Sequence, residues 1–265
     1  MGDAGRRTQV MIVDSDAPAS SILSDILRSC GQYDVCRASN HAQAWQLLRT
    51  MTPDIIFVEH TGPRIDGLMF TRRLRRADSA CRKASVIILA VEPTAATILQ
   101  ARDAGVHEFL RKPFTIQHVT RRLDAVTHKS RNWVEGIRYI GPDRRRFNSA
   151  EFSGARKRRM DKQDASAGSA SIDQALKIMK AAIKAIETDP RQALRSLRAQ
   201  ADELEVAAVE TRDWGAAAAA KLCRDYLESA MAKGRFSNKQ LTDRAAALEL
   251  FELPSAHQQA ASTGR

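Results

Sequence analysis

The sequence predicts an α/β domain built on a doubly wound, five-stranded parallel sheet, followed by a basic linker and a small all-α helical bundle or hairpin. In the first half of the chain, short apolar runs rich in branched residues alternate with helical patterns, which is typical of a parallel sheet with helices on both faces. After Ser171 the apolar residues recur only with helical spacing. We therefore predict an α/β domain over 8–127, a basic flexible linker over 128–170, a helical interaction domain over 171–252 and a disordered tail over 253–265.

The α/β prediction depends on three apolar runs, QVMIV (9–13), DIIFV (54–58) and SVIILA (85–90), and on two weaker ones, DVCRA (34–38) and HEFLR (107–111). Helical patterns lie between and after them, over Ala17–Ser29, Ala42–Thr50, Leu68–Arg76, Ala95–Ala104 and Ile116–Thr127. Runs such as DIIFV are apolar throughout, as expected of parallel strands buried on both faces. Because chemistry gathers at the carboxyl ends of such strands, we expect Asp14–Asp16, Glu59–Thr61, Ala90–Val91 and Lys112–Pro113 to meet.

The predicted linker carries much of the positive charge. The chain has a formal net charge of +11, and residues 128–170 contain 11 basic and 5 acidic side chains. Two related stretches, YIGPDRRR (139–146) and SGARKRR (153–159), supply a basic patch that consists of Arg144, Arg145, Arg146, Arg156, Lys157, Arg158 and Arg159. Such a patch could bind the phosphates of nucleic acid or an acidic protein face, and it is also expected of a solvated, flexible linker.

The last part of the chain contains heptad-like apolar seams. In the first of them Ile172, Leu176, Met179, Ile183 and Ile186 follow one another at alternating spacings of four and three residues. Pro190 can begin a second helix, a third is predicted over Trp214–Ala232 and a fourth over Asn238–Phe251. The seams are expected to form the core of a bundle, or to pair two chains in a homodimer, since short helices bury little surface alone.

Composition excludes several classes of protein. The four cysteines have no zinc-binding spacing and are typical of a reducing cytoplasm, and no apolar run is long enough to span a membrane, so we expect a cytoplasmic protein. None of the six histidines lies within 171–252, which argues against a phosphotransfer bundle with a working histidine. The chain has no phosphate-binding glycine loop and no Ser/His/Asp order, and we expect no enzymatic activity.

Four blocks of the first domain carry a family resemblance. They are MIVDSD at 11–16, PDIIFVEHTGPRIDG at 53–67, IILA at 87–90 and EFLRKPF at 108–114. In order and spacing they resemble the signature blocks of a response-regulator receiver domain of the chemotaxis type, over roughly 8–127. The resemblance implies the doubly wound, flavodoxin-like receiver fold.

The resemblance also implies a chemistry. In that family two adjacent acidic residues after the first strand and an aspartate after the third bind Mg²⁺, and this last aspartate accepts a phosphoryl group from a histidine kinase. A Ser or Thr after the fourth strand and a Lys after the fifth stabilise the phosphoryl oxygens. Mg²⁺ prefers hard oxygen ligands, and the developing phosphoryl charge requires fixed cations and donors around it.

Mapped onto this chain, the family pattern is only partly retained. Asp14 matches the first acidic residue, Ser15 stands at the second, and Asp16 lies one step further, where a slipped register would recruit it as a metal ligand beside Asp14. Glu59 stands at the phosphoacceptor and Ala90 at the hydroxyl position. The family's functional lysine, its following proline and its switch aromatic are present as Lys112, Pro113 and Phe109.

These departures favour a degenerate receiver. Glu59 is one methylene longer than aspartate and should reach Lys112, where a pair at about 4 Å has up to ~4 kcal/mol of Coulomb energy before desolvation is subtracted. The predicted function is that of a phosphorylation-independent pseudo-receiver in a bacterial two-component pathway, which binds a histidine kinase or other signalling proteins and needs no cofactor.

Three other interpretations remain open. The first domain could be a mere scaffold. It could be a conventional response regulator that is phosphorylated at Glu59 with Mg²⁺ at Asp14 and Asp16. Finally, the chain could be a nucleic-acid-binding regulator that acts through 138–159.

Overall fold

The computed structural model describes residues 7–129, 131–144, 166–210 and 213–233, together with Gln240 and Asp243. The chain divides into two compact units. The first comprises residues 1–134 and 139–155, and the second comprises residues 135–138 and 156–265.

The first unit is built on a five-stranded parallel sheet. Its strands are β1 (Thr8–Val13), β2 (Tyr33–Ala38), β3 (Ile55–Glu59), β6 (Ser85–Ala90) and β7 (Glu108–Arg111), in the spatial order β2-β1-β3-β6-β7. Two further strands, β4 (Thr61–Gly62) and β5 (Ile65–Asp66), form a small hairpin after β3. The predicted fold class is confirmed: this is the flavodoxin-like receiver fold, and a helical region follows it.

Five helices flank the sheet, namely α1 (Ala17–Cys30), α2 (His41–Leu47), α3 (Gly67–Arg76), α4 (Ala95–Ala104) and α5 (Ile116–Thr127), and a short 3-10 helix spans Ala80–Lys83. Each α-helix begins after a residue whose side chain accepts a hydrogen bond from a backbone N–H of the first turn: Asp16, Asn40, Asp66, Thr94 and Thr115. The second helix is shorter than predicted. After Leu47 the chain turns with bonds between residues three apart, such as Thr50 N–H to Leu47 O.

The core lies on both faces of the sheet because successive strand residues point to opposite sides. Met11, Ile56 and Ile88 belong to the cluster on one face. Ile12, Phe57 and Ile87 belong to the cluster on the other. Each of these six side chains is fully buried. This two-sided burial is the reason that the strands are apolar without alternation.

The first part of the predicted linker differs from expectation. Residues 131–144 contain two short strands, β8 (Trp133–Glu135) and β9 (Ile140–Pro142), which pair with each other. Tyr139 and Ile140 are buried. Strands of three residues are too short to show an alternating pattern in the sequence, which is why they were not predicted.

The second unit contains α6 (Ser166–Lys184), α7 (Pro190–Glu210) and α8 (Trp214–Lys233). The first helix starts before the predicted boundary at Ser171. The seam residues Met179 and Ile186 are buried in one cluster with Leu197 of α7 and Leu227 of α8, so the first of the two interpretations of the seams applies to them. The homodimer stays a prediction.

Residues 135–138 belong to this second unit. The Gln192 side chain donates to Glu135 Oε1 at 2.9 Å and to Gly136 O at 3.2 Å, and Ser196 Oγ donates to Glu135 O at 2.9 Å. Apart from Gln240 and Asp243, the predicted fourth helix and the tail over 253–265 lie outside the described residues. None of the described helices is long and apolar enough to cross a membrane.

Candidate functional site

The sheet brings the predicted site residues together at one edge. Asp14 and Ser15 follow β1, Glu59 ends β3, Ala90 ends β6 and Lys112 follows β7. Since these four strands are parallel, their carboxyl ends meet in one pocket.

Lys112 lies between two carboxylates. Its Nζ is 2.7 Å from Asp14 Oδ2 and 3.3 Å from Glu59 Oε1. The Lys112 and Glu59 side chains are 12% and 14% exposed and that of Asp14 is fully buried, so water screens these pairs poorly. The contact between Glu59 and Lys112 was expected from the length of the glutamate. The shorter contact with Asp14 was not.

The second oxygen of Glu59 is held by Ser15. Ser15 Oγ donates to Glu59 Oε2 at 2.5 Å, and the Ser15 backbone N–H donates to the same oxygen at 3.1 Å. Sequence reasoning treated Ser15 only as a missing metal ligand. The sequence signal for this contact was the Ser15 hydroxyl, because a hydroxyl group can donate to a carboxylate that follows the neighbouring strand.

Gly62 closes the other side of this carboxylate. A Cβ added at Gly62 would lie 2.3 Å from Glu59 Oε2 and 2.6 Å from Ser15 Oγ. The longer side chain of Glu59 therefore fills space that a residue with a Cβ at position 62 would need.

Asp14 is held by opposing influences. Burial raises the pKa of its carboxyl group, while Lys112 and the Asp16 backbone N–H, which donates to Asp14 Oδ1 at 3.0 Å, act to lower that pKa. The Glu59 charge raises it further. The net direction is upward, because burial is the largest cause.

The residues present do not fit a magnesium site of the family type. Asp16 is exposed, and its carboxylate accepts from the Ala19 N–H at 3.1 Å as the cap of α1. Ser15 offers no carboxylate, and an ammonium group lies against Asp14 and Glu59 where a cation would have to bind. Within the described ranges, no three His, Cys, Asp or Glu side chains converge on a common metal position.

Ala90 and Pro113 lie at the carboxyl ends of β6 and β7, and Phe109 lies within β7. Ala90 is 5% exposed and has no hydroxyl. Phe109 is 4% exposed, and its side chain lies in the core. The Phe109 carbonyl accepts from Arg122 Nε at 2.5 Å. The Lys112–Pro113 peptide bond is cis.

Of the predicted basic patch, only Arg144 lies within the described residues. Its guanidinium group pairs with Asp103 Oδ1 at 2.9 Å and lies over the Tyr139 ring at 4.2 Å. Arg145, Arg146, Arg156, Lys157, Arg158 and Arg159 lie outside the described residues.

Comparison with known proteins identifies the first unit. The family model of the response regulator receiver domain matches residues 10–124. Chemotaxis protein CheY1 of Helicobacter pylori is 26% identical over 119 residues, which are 44% of this chain and 95% of that protein. The DNA-binding dual master transcriptional regulator RpaA of Synechocystis is 28% identical over 122 residues, which are 46% of this chain and 50% of the length of that relative.

Among solved structures, a response regulator from Thermotoga maritima is 22% identical, with a TM-score of 0.41, over 46% of this chain and 99% of the other. The strand order, the pocket at the carboxyl ends and the family match agree. Residues 10–124 are therefore a receiver domain of the two-component response regulators.

Proposed function

We propose that this receiver domain is a pseudo-receiver, which works in a two-component pathway without being phosphorylated and acts through protein–protein interaction. The observation that carries the proposal is the position of Lys112, whose ammonium group contacts the Asp14 and Glu59 carboxylates together. This internal pair supplies the charge balance that a metal ion and a phosphoryl group would otherwise bring.

Phosphoryl transfer to Glu59 would have to break this arrangement. One carboxylate oxygen pairs with Lys112, and the other accepts two hydrogen bonds from Ser15. The Ala90 side chain has no hydroxyl that could donate to a transferred phosphoryl group, and the Asp16 side chain caps the start of α1. An acceptor carboxylate needs a free oxygen and a metal ion that neutralises the incoming charge, and the pocket offers neither.

A domain with this pocket presents one constant surface. Receiver domains are signalling domains, so the partner expected for such a surface is a histidine kinase or another signalling protein. The DNA-binding activity in the name of RpaA belongs to that protein, of which this chain matches about half the length. It is no basis for assigning DNA binding to this chain.

Incubation of the full chain with Mg²⁺ and a small phosphodonor such as acetyl phosphate, followed by intact mass spectrometry, tests the proposal. The wild-type protein is expected to gain no phosphoryl adduct. The control is the variant Ser15→Asp/Glu59→Asp/Ala90→Thr, which restores the family pattern and is expected to gain one. An adduct on Glu59 of the wild-type protein would overturn the proposal.

A further inference from the structure

The motif YIGPDR (139–144) lies outside the pocket and makes its own contacts within the first unit. We call residues 131–134 and 139–144 the strap. Both parts belong to the first unit. The Asp143 backbone N–H donates to Asn132 O at 2.8 Å and holds the two parts together.

The strap contacts the end of α4 through two glycines. Gly105 follows α4 with φ +87°, and Gly141 of the strap has φ +153°. A Cβ at Gly141 would lie 2.7 Å from Gly105 Cα, and a Cβ at Gly105 would lie 2.5 Å from Ile140 O. Backbone meets backbone here, so a side chain at either position could not be accommodated by a change of rotamer.

Arg75 lies beneath the strap. It is 1% exposed, and its guanidinium group donates to Gly105 O, Arg82 O and Ala84 O at 2.6–3.0 Å. The Trp133 ring of the strap lies 5.1 Å from the guanidinium carbon. Burial lowers the pKa of Arg75 to about 9. The carbonyl at the negative end of α4 and the indole face together stabilise a buried cation.

Side-chain contacts of the motif fasten its other end. Arg144 pairs with Asp103 at 2.9 Å and lies over the Tyr139 ring. Tyr139 Oη donates to Pro142 O at 2.5 Å. Within the motif, Tyr139, Gly141 and Arg144 therefore each have a structural role, and Gly105 has one at the end of α4.

Through Arg131 the strap also reaches the edge strand β7. Arg131 donates to His107 O, and its guanidinium group is 3.8 Å from Glu108 Oε1. Glu108 in turn is 3.9 Å from Arg122, whose Nε donates to Phe109 O. Arg131 of the strap thus contacts the residue before β7 and the first residue of β7, and Arg122 of α5 contacts the second residue of the strand that leads to Lys112.

We propose that YIGPDR is an intramolecular docking motif whose partner is the α4–β7 turn, and that its docking holds β7 and so keeps Lys112 in the pocket. In its last step this inference rests on the proposed function, because only there does the position of Lys112 set the signalling state. The earlier steps stand on the contacts of Gly105, Gly141 and Arg75.

The test is Gly141→Ala in the full chain, with hydrogen exchange measured for β7 and β1 and acylation measured for Lys112. We expect exchange in β7 to be roughly tenfold faster, with β1 unchanged, because a held edge strand becomes free to open locally. The rate of Lys112 acylation should rise relative to that of the exposed Lys129, which serves as the internal reference. Unchanged β7 exchange and unchanged Lys112 reactivity would overturn the inference.

A milder pair of variants covers the case in which Gly141→Ala unfolds the whole unit and β1 exchanges freely. Arg144→Ala removes the contacts with Asp103 and Tyr139, and Arg138→Ala removes an exposed arginine of the same charge. Faster β7 exchange in the first but not the second supports docking, and equal exchange in both contradicts it. A phosphoryl adduct on Glu59 would contradict the proposed function, but it would not affect the comparison of β7 exchange between Arg144→Ala and Arg138→Ala.

Discussion

Gly62 lies so close to the Glu59 carboxylate that the two positions should be energetically coupled. An added Cβ would meet Glu59 Oε2 at 2.3 Å. Gly62→Ala is therefore expected to destabilise the first unit by about 1–3 kcal/mol, as overpacking does. In a Glu59→Asp background the shorter side chain withdraws the carboxylate, and the cost should fall by at least about 0.5 kcal/mol.

Amide exchange of β1, measured at increasing urea concentrations, would give the destabilisation caused by Gly62→Ala in each of the two backgrounds. An equal cost of Gly62→Ala in the two backgrounds would show that the glycine does not contact the Glu59 carboxylate in solution.

Lys112 holds two carboxylates in a poorly hydrated pocket, so removing its charge should be costly. Lys112→Met is expected to destabilise the unit by about 2–4 kcal/mol at pH 7, somewhat below the usual range for broken buried pairs because the group is slightly exposed. Lys112→Arg should retain most of the stability. Lys129→Met, which removes a surface lysine that is 75% exposed, is the matched control and should cost under about 0.5 kcal/mol.

The cost of Lys112→Met should also depend on pH. Loss of the ammonium group removes an influence that lowers the pKa of Asp14, so that pKa rises further above its unfolded value. A carboxyl group with a raised folded-state pKa binds its proton more readily in the folded protein, so the penalty shrinks as pH falls. A penalty that grew on acidification would contradict the ion pair.

At the scale of elements, the residue directly before β7 is a partly buried histidine that should make stability pH-dependent. His107 Nδ1 accepts from the Val86 N–H at 3.2 Å and lies 3.2 Å from an Arg75 nitrogen. Burial and the charges of Arg75 and Arg131 lower its pKa well below 6.5. The unfolded chain therefore takes up a proton first, and stability present at pH 7 is lost as pH falls below about 6.5.

His107→Asn keeps an acceptor and removes the titration. Its free energy of unfolding should decline less steeply between pH 7 and pH 5 than that of the wild-type protein, by up to about 1.4 kcal/mol per pH unit. The other histidines are the same in both proteins, so the difference in slope isolates His107. Parallel profiles would show that His107 titrates normally in the folded state.

The elements differ in how far the sequence predicts them. β1, β3 and β6 followed from strong apolar runs and β2 and β7 from weaker ones, and α4 and α5 begin and end where their periodicity predicts. The strap could not be predicted, since its stability depends on Gly105 and Arg75, which lie far away in sequence. In the pocket, the contact between Glu59 and Lys112 could be predicted from the length of the glutamate side chain. The hydrogen bonds from Ser15 to Glu59 could not, because they depend on the geometry of two separate strands.

The helices of the second unit bury the seam residues Met179 and Ile186 in a cluster that includes Leu227. Leu227 of α8 is fully buried, whereas Leu222 of the same helix is 60% exposed. Leu227→Ala should cost about 2–5 kcal/mol of the unit's stability, and Leu222→Ala under about 0.5 kcal/mol. Urea unfolding followed by far-UV circular dichroism measures both. Equal effects would mean that α8 uses a different face in its core.

For the whole molecule, the net charge overstates the number of basic side chains that are available to an anionic partner. Arg75 and Arg122 are buried in the first unit and bound to backbone carbonyls, and Arg144 pairs with Asp103. Part of the basic character therefore stabilises the receiver domain itself. Most of the excess lies in residues outside the described ranges, where the nucleic-acid interpretation is still a prediction.

We propose that an internal ammonium group, that of Lys112, replaces the metal ion in this receiver pocket. Calorimetric titration of the full chain with Mg²⁺, alongside Ser15→Asp/Glu59→Asp, tests that claim most directly. The wild-type protein should show no saturable binding, and the variant, which offers three short carboxylates at the carboxyl ends of β1 and β3, should bind. Wild-type binding as tight as that of the variant would contradict the account, because Asp14, Ser15 and Glu59 would then still form a metal site beside Lys112.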